Sequence, residues 1–306
     1  MLLQMKFWKK LLGIVLFLLV VWGVYHFYIS PQTKVEEVIP PKPQKVSFLV
    51  FGDSGTGSHE QKELAKVMLN FPFDFILHTG DIAYPDGTKQ QLENNFFSIY
   101  KEHLKRAKIY PAPGNHDYLT DNLGPYLSMF GVPRYYSIDF NNVHIVSLDT
   151  NTSLYEVSDK NQNDMADWLG QDLEKNKDKE WKIVFFHHPP YSSGKEHGGD
   201  VRVQEILVPI FEKFGVDIVF SGHEHNYERI CQLVKDECTP NGVTYVVTGG
   251  GGGPIYSFRE EQFFTFSRSA QHHFVQSTID GCKFIGQAIN IKQEVIDQFT
   301  LDKCNK

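Results

Sequence analysis

The sequence has no long basic tract outside its first ten residues, and acids outnumber bases 37 to 30, a formal net charge of −7. Nucleic acid, held mainly through clustered lysine and arginine, is therefore disfavoured as a partner. Internal repeats are lacking, and so is low complexity, apart from one proline-rich stretch. Cysteine is scarce: Cys231, Cys238, Cys282 and Cys304 all fall in the last quarter. Their even number agrees with an oxidising compartment. Cys231 with Cys238 across a short loop is the favoured pairing, with Cys282 and Cys304 forming a second bridge. The alternative is buried free thiols, and spacing does not fix connectivity.

A long apolar run is present only at the N-terminus, where Lys6, Lys9 and Lys10 precede Leu11–Ile29. At about 1.5 Å per residue this run spans about 28 Å, close to a hydrocarbon core of about 30 Å. A small-x-small cleavage site is missing between Gly23 and Pro31, so the run reads as an uncleaved transmembrane anchor, with secretion after cleavage as the alternative. Lysines on one side put residues 1–10 in the cytoplasm, 11–29 across the membrane and the remainder outside it, periplasmic or extracellular. Residues 30–45, with Pro31, Pro40, Pro41 and Pro43, read as an extended tether.

The 306-residue chain is 41% apolar, enough for a substantial core, and a domain runs from Val46 to the C-terminus. Apolar runs at 46–51, 73–78, 108–113, 181–186 and 216–221 predict buried strands. Helices are predicted over 59–70, 89–106, 163–177 and 201–214, and Met165, Trp168, Leu169 and Leu173 give the third an apolar, core-facing stripe. Alternating segments at 135–149, 242–250, 272–281, 283–291 and 295–301 suggest antiparallel or mixed pairing. The expected architecture is α/β, with two mixed sheets packed face to face and flanked by helices.

Each of the five buried strands ends in a polar cluster: "GDSG" with Asp53, "GDIAY" with Asp81 and Tyr84, "GNHD" with Asn115, His116 and Asp117, "HHPPY" with His187 and His188, and "GHEHNYER" with His223 and His225. Side chains at the carboxyl ends of neighbouring strands converge on one crevice. Seven candidates, Asp53, Asp81, Tyr84, Asn115, His187, His223 and His225, exceed what one ion with an open position takes and suit two ions sharing a carboxylate.

In this order the motifs D-x-G, G-D-x-x-Y, G-N-H-D, V-x-x-H-x-P and G-H-x-H resemble the calcineurin-like metallophosphoesterases, and the tyrosine resembles their purple acid phosphatase branch. The resemblance covers about residues 46–255 and implies a four-layer αββα sandwich. It assigns Asp53, Tyr84 and His225 to a first metal, Asn115, His187 and His223 to a second, and Asp81 to both. A phenolate suits Fe(III), and an amide with two imidazoles suits divalent Fe, Zn or Mn. Such ions against two aspartates and a tyrosinate leave about two positive charges to draw a phosphate ester.

The implied reaction is hydrolysis of phosphate monoesters by direct attack of a metal-bound hydroxide, without a phosphoenzyme. His116 and, by the same resemblance, His197 would face the substrate as hydrogen-bond or proton donors. The alternatives are a phosphodiesterase of the same fold and a catalytically idle binding protein.

Other features read as structural. His188, next to a ligand, faces away if its strand persists. Asp117 either orients His116 or serves a turn. Arg229 pairs with Glu228 or another acid to brace the histidine loop. "TGGGGGP" (248–254) lacks the Lys and Ser/Thr of a phosphate loop and reads as a tight, mobile turn. Segments 117–136 and 151–164 read as long irregular stretches beside the site. His59, His78, His103, His144, His272 and His273 match no ligand pattern.

Overall fold

The computed structural model describes residues 45–153 and 159–304, together with helical positions 16, 18–20 and 22. The chain divides into two compact units, Met1–Lys42 and Pro43–Lys306. The expected cytoplasmic end and tether, and most of the expected membrane span, lie outside the described residues. No helix among the described residues is long and apolar enough to cross a membrane.

The larger unit is built on two mixed sheets. Edge to edge, the first runs Val295–Asp302, Lys283–Asn290, His273–Asp280, Val46–Phe51, Phe75–His78, Lys108–Pro111. Its last three strands are parallel and its first three antiparallel. The second runs Thr265–Ser269, Tyr227–Ile230, Thr244–Thr248, Ile218–Ser221, Trp181–Phe185, Val143–Ser147, Tyr136–Phe140. Thr244–Thr248 through Val143–Ser147 are parallel, with antiparallel strands outside them.

Alternation along each strand sorts its side chains into layers. Phe48 and Val50 join Phe75, Leu77, Ile183, Phe185, Ile218 and Phe220 between the sheets. Leu49 and Phe51 point the other way, onto Leu64 and Met68 of helix His59–Met68 and onto Leu92, Phe96 and Tyr100. Val184 and Val219 meet Leu169, Leu173, Val203, Leu207 and Phe211 of helices Asp159–Lys175 and Val201–Phe214. Strands buried on both faces explain why their sequences read as unbroken apolar runs.

Local signals set the helix ends. Ser58 and Asp200 accept backbone N–H groups as N-caps, and Gly215 closes the last helix in the left-handed conformation. The helix expected over 89–106 is broken into Lys89–Leu92, a wide turn at Glu93–Phe97 and Lys101–Arg106. There the Asn95 carbonyl accepts from Gln61 Nε2 at 2.7 Å and is engaged outside the helix.

Segment 117–136 is more ordered than expected. It contains the helix Gly124–Phe130, and Tyr126 is buried with its hydroxyl donating to the Pro111 carbonyl. Both disulfides, Cys231–Cys238 and Cys282–Cys304, are closed as favoured.

Candidate metal centre

The five polar clusters follow parallel strands and meet at one edge of the two sheets. Asp53, Asp81 and His223 hold positive φ angles of 56°, 53° and 69°, so the chain turns sharply just where it presents these side chains. Gly80, at φ 102°, lies between two loops: a Cβ there would fall 2.7 Å from His187 Nδ1 and 2.8 Å from the Gly114 nitrogen. The loops are also cross-linked. Asp53 accepts the His223 N–H at 3.0 Å, and Asp81 Oδ1 accepts that of His116 at 2.9 Å.

One group of donor atoms forms around Tyr84. Its hydroxyl is 3.0 Å from Asp81 Oδ2, 3.0 Å from His225 Nε2 and 3.4 Å from Asp53 Oδ1. Burial, then the charges of Asp81 and Asp53, push the Tyr84 phenol well above its ordinary pKa. For His225, burial pulls downward, but Asp53 and Asp81 outweigh it and hold the imidazole above its usual value. A cation held among these atoms would displace the phenolic proton.

A second group forms around His187. Its Nδ1 faces the Thr79 carbonyl at 2.9 Å, which only an N–H can satisfy, so Nε2 carries the lone pair of the neutral ring. That nitrogen is 3.0 Å from Asn115 Oδ1, 3.2 Å from His223 Nδ1 and 3.5 Å from Asp81 Oδ1. Acceptor atoms collected in a buried place repel one another unless a cation lies among them, so this set fits a metal. Asp81 faces the first group with Oδ2 and the second with Oδ1, the arrangement of a bridging carboxylate. All seven sequence candidates are therefore brought together.

His116 and His197 stand at the mouth. His116 donates Nδ1–H to the Pro85 carbonyl, packs edge-on against Tyr84 and turns Nε2 to within 4.0 Å of Asp81 Oδ2. The His197 ring stacks on His223 with centroids 3.9 Å apart and is partly covered by it. Burial, then His225 and His187, lower its pKa.

Two readings change and one is decided. His188 does not face away: the strand ends at Phe185, so alternation no longer applies, and its ring lies 4.5 Å from that of His223. Of its two expected uses Asp117 takes the turn, accepting the buried N–H groups of Gly114 and Ile82 at 2.8 and 3.1 Å. The glycine run is buried and packed rather than a loose turn.

Arg229 pairs with Asp297 at 2.6 Å, between Phe266 and Phe299. It ties the two sheets together instead of pairing with Glu228, which accepts from Ser192, Ser193 and Thr265.

Two residues escaped the sequence reading. Glu224 Oε1 accepts the backbone N–H groups of His197 and Gly198, both at 2.6 Å, and so holds the His197 loop. Tyr256 stacks on His225 at 4.1 Å. The acid between two candidate histidines was a signal for the first; nothing local marked the second.

Two mixed sheets between helix layers, with an Asp, Asn and His site at the strand ends, define a family. The chain belongs to the calcineurin-like phosphoesterases, whose family model matches residues 46–227. Within it, the chain is similar to purple acid phosphatases. It is 29% identical to purple acid phosphatase 21 of Arabidopsis thaliana over 73% of this chain and 57% of that protein. It is 28% identical to purple acid phosphatase 17 of the same plant over 74% of each. The chain thus spans little more than half the length of the first of these relatives. A solved purple acid phosphatase from yellow lupin seeds shares the fold, with a TM-score of 0.68 at 21% identity, covering 85% of this chain and 54% of that one.

Proposed function

We propose that this chain is a binuclear metal-dependent phosphoesterase that hydrolyses phosphate monoesters in the manner of an acid phosphatase. The observation that carries the reading is the division of Asp81, one oxygen toward Asp53, Tyr84 and His225 and the other toward Asn115, His187 and His223. The similarity to purple acid phosphatases supports the monoester class, and the phenol among the first group supports Fe(III) there, with divalent Fe, Zn or Mn in the second. Ions held by these residues would supply Lewis-acid polarisation of the phosphoryl oxygens and activation of a water nucleophile.

The chain's own residues supply the rest. His116, with Nδ1–H held by the Pro85 carbonyl, aims Nε2 at the mouth, where a protonated ring donates to the leaving alkoxide. His197, held by the Glu224 clamp, stands over the second group as a hydrogen-bond donor to the phosphoryl group. Outside these residues the proposal includes an N-terminal membrane anchor with the catalytic unit on the extracytoplasmic side. The apolar run after Lys6, Lys9 and Lys10 and the two disulfides support that placement.

The test uses the purified full chain loaded with iron plus zinc or manganese, comparing turnover of 4-nitrophenyl phosphate and bis(4-nitrophenyl) phosphate from acidic to neutral pH. A strong monoester preference is expected. A diester preference would overturn the monoester assignment, and no turnover of either ester would overturn the hydrolase.

A further inference from the structure

The second donor group contains one histidine more than the seven candidates account for. His188 is 1% exposed, and its ring lies 4.9 Å from that of His187 and 4.5 Å from that of His223. One ring nitrogen from each of the three lies within 4.8 Å of the other two. On the far side, His188 Nδ1 is bonded to Thr150 Oγ1 at 2.9 Å, and the same oxygen accepts the His188 backbone N–H at 3.1 Å. The ring is thus fixed through one nitrogen, while the other, Nε2, is buried with no hydrogen-bond partner among the described residues.

A neutral imidazole always presents one N–H and one lone pair, so no choice of tautomer gives Nε2 a partner among the described residues. Buried polar groups with no partner call for an explanation. When Nδ1 donates to Thr150, Nε2 holds the lone pair, on a ring packed against those of His187 and His223. A cation among these rings would meet a third imidazole.

We propose that His188 is part of the divalent-ion site, a third imidazole whose free Nε2 is reserved for the ion held by Asn115, His187 and His223. The inference rests on the metal reading above and deepens it. A site with three imidazoles is richer in nitrogen than the seven-residue set, which biases it toward Zn over Mn.

Asparagine and glutamine separate the two ring nitrogens, because Asn places its amide near the Nδ1 position and Gln near the Nε2 position. The metal-free full chain, as wild type, His188→Asn and His188→Gln, is titrated with Zn(II) and with Mn(II) against a chromophoric chelator, and the thermal midpoint of each protein is recorded. Wild type is expected to bind two Zn(II). His188→Asn, which keeps the Thr150 bond, should weaken one of the two by about 10-fold or more and narrow the preference for Zn(II) over Mn(II), while His188→Gln retains more of both.

A residue serving only to pack against Thr150 would give the reverse order. That outcome, or unchanged affinities in His188→Asn, would overturn the proposal while leaving the binuclear reading intact. Failure of the wild type to bind two ions would overturn that reading itself.

Discussion

Replacing Asp117 by alanine should damage stability and metal binding together, because one buried carboxylate holds two ligand loops. Its oxygens accept the N–H of Gly114, just before Asn115, at 2.8 Å, and that of Ile82, just after Asp81, at 3.1 Å. Asp117 is 1% exposed, so water does not replace the lost acceptor in the packed site. Each buried N–H left unsatisfied costs about 1–3 kcal/mol, giving about 2–6 kcal/mol for the pair. That is a large part of a typical total of about 5–15 kcal/mol. Asp117→Asn keeps one acceptor but sets an NH2 against the other N–H, for a cost on the order of half as much. Urea midpoints of the metal-free full chain give the stabilities, and chelator competition gives the metal affinities. An alanine variant within about 0.5 kcal/mol of wild type, the range of ordinary surface substitutions, would refute the bracing role.

Three further outcomes are expected. Tyr84→Phe should abolish the visible band of the iron-loaded protein and leave the chain folded; a band that survives would remove the phenolate from the iron. His116→Ala should depress turnover far more than metal content, whereas equal losses would move His116 from proton donation to site assembly. His144 is buried between Asp139 and Asp172, at 2.8 and 2.9 Å, with Lys179 pairing to Asp139 at 3.0 Å. Burial lowers its pKa, but hydrogen bonds and charge from Asp172 and Asp139 outweigh this and raise it. The stabilisation is therefore fully present below the unfolded value of about 6.5 and is lost as pH rises through the higher folded value. Urea midpoints should fall across that window in wild type and less steeply in His144→Gln; parallel curves would sink the linkage.

The gathering of the seven candidates was legible because the feature that brings them together is local and repeated: an apolar strand, then a polar cluster, five times. Parallel pairing does the rest, since strands side by side bring their carboxyl ends to one edge. Strands Tyr227–Ile230 and Thr265–Ser269 were not legible. "YERI" carries two charges, yet all four of its residues are buried. Glu228 is satisfied by Ser192, Ser193 and Thr265, and Arg229 by Asp297 and two aromatic faces. Those partners come from distant segments, and no window around residue 228 contains enough of them to reveal burial. His188 failed for a related reason, because a period of two describes a strand only while the strand lasts.

The glycine run shows the limit of reading composition as freedom. Gly249, Gly251 and Gly253 donate their N–H groups to the carbonyls of Asn226, Gly52 and Asp53, at 3.2, 2.9 and 2.8 Å. A Cβ on Gly249 would fall 2.3 Å from the Glu224 carbonyl oxygen, and one on Gly253 would fall 2.7 Å from the His225 ring. The run therefore works as a strap of bare backbone laid across the loops that carry Asp53, His223 and His225. What the site requires of it is donors without side-chain volume. A mobile turn and a close-packed strap call for the same residue, one for its range of φ and the other for its missing Cβ. Sequence alone cannot separate the two uses, because the atoms that would collide belong to segments from both ends of the domain, around Asp53 and around His225.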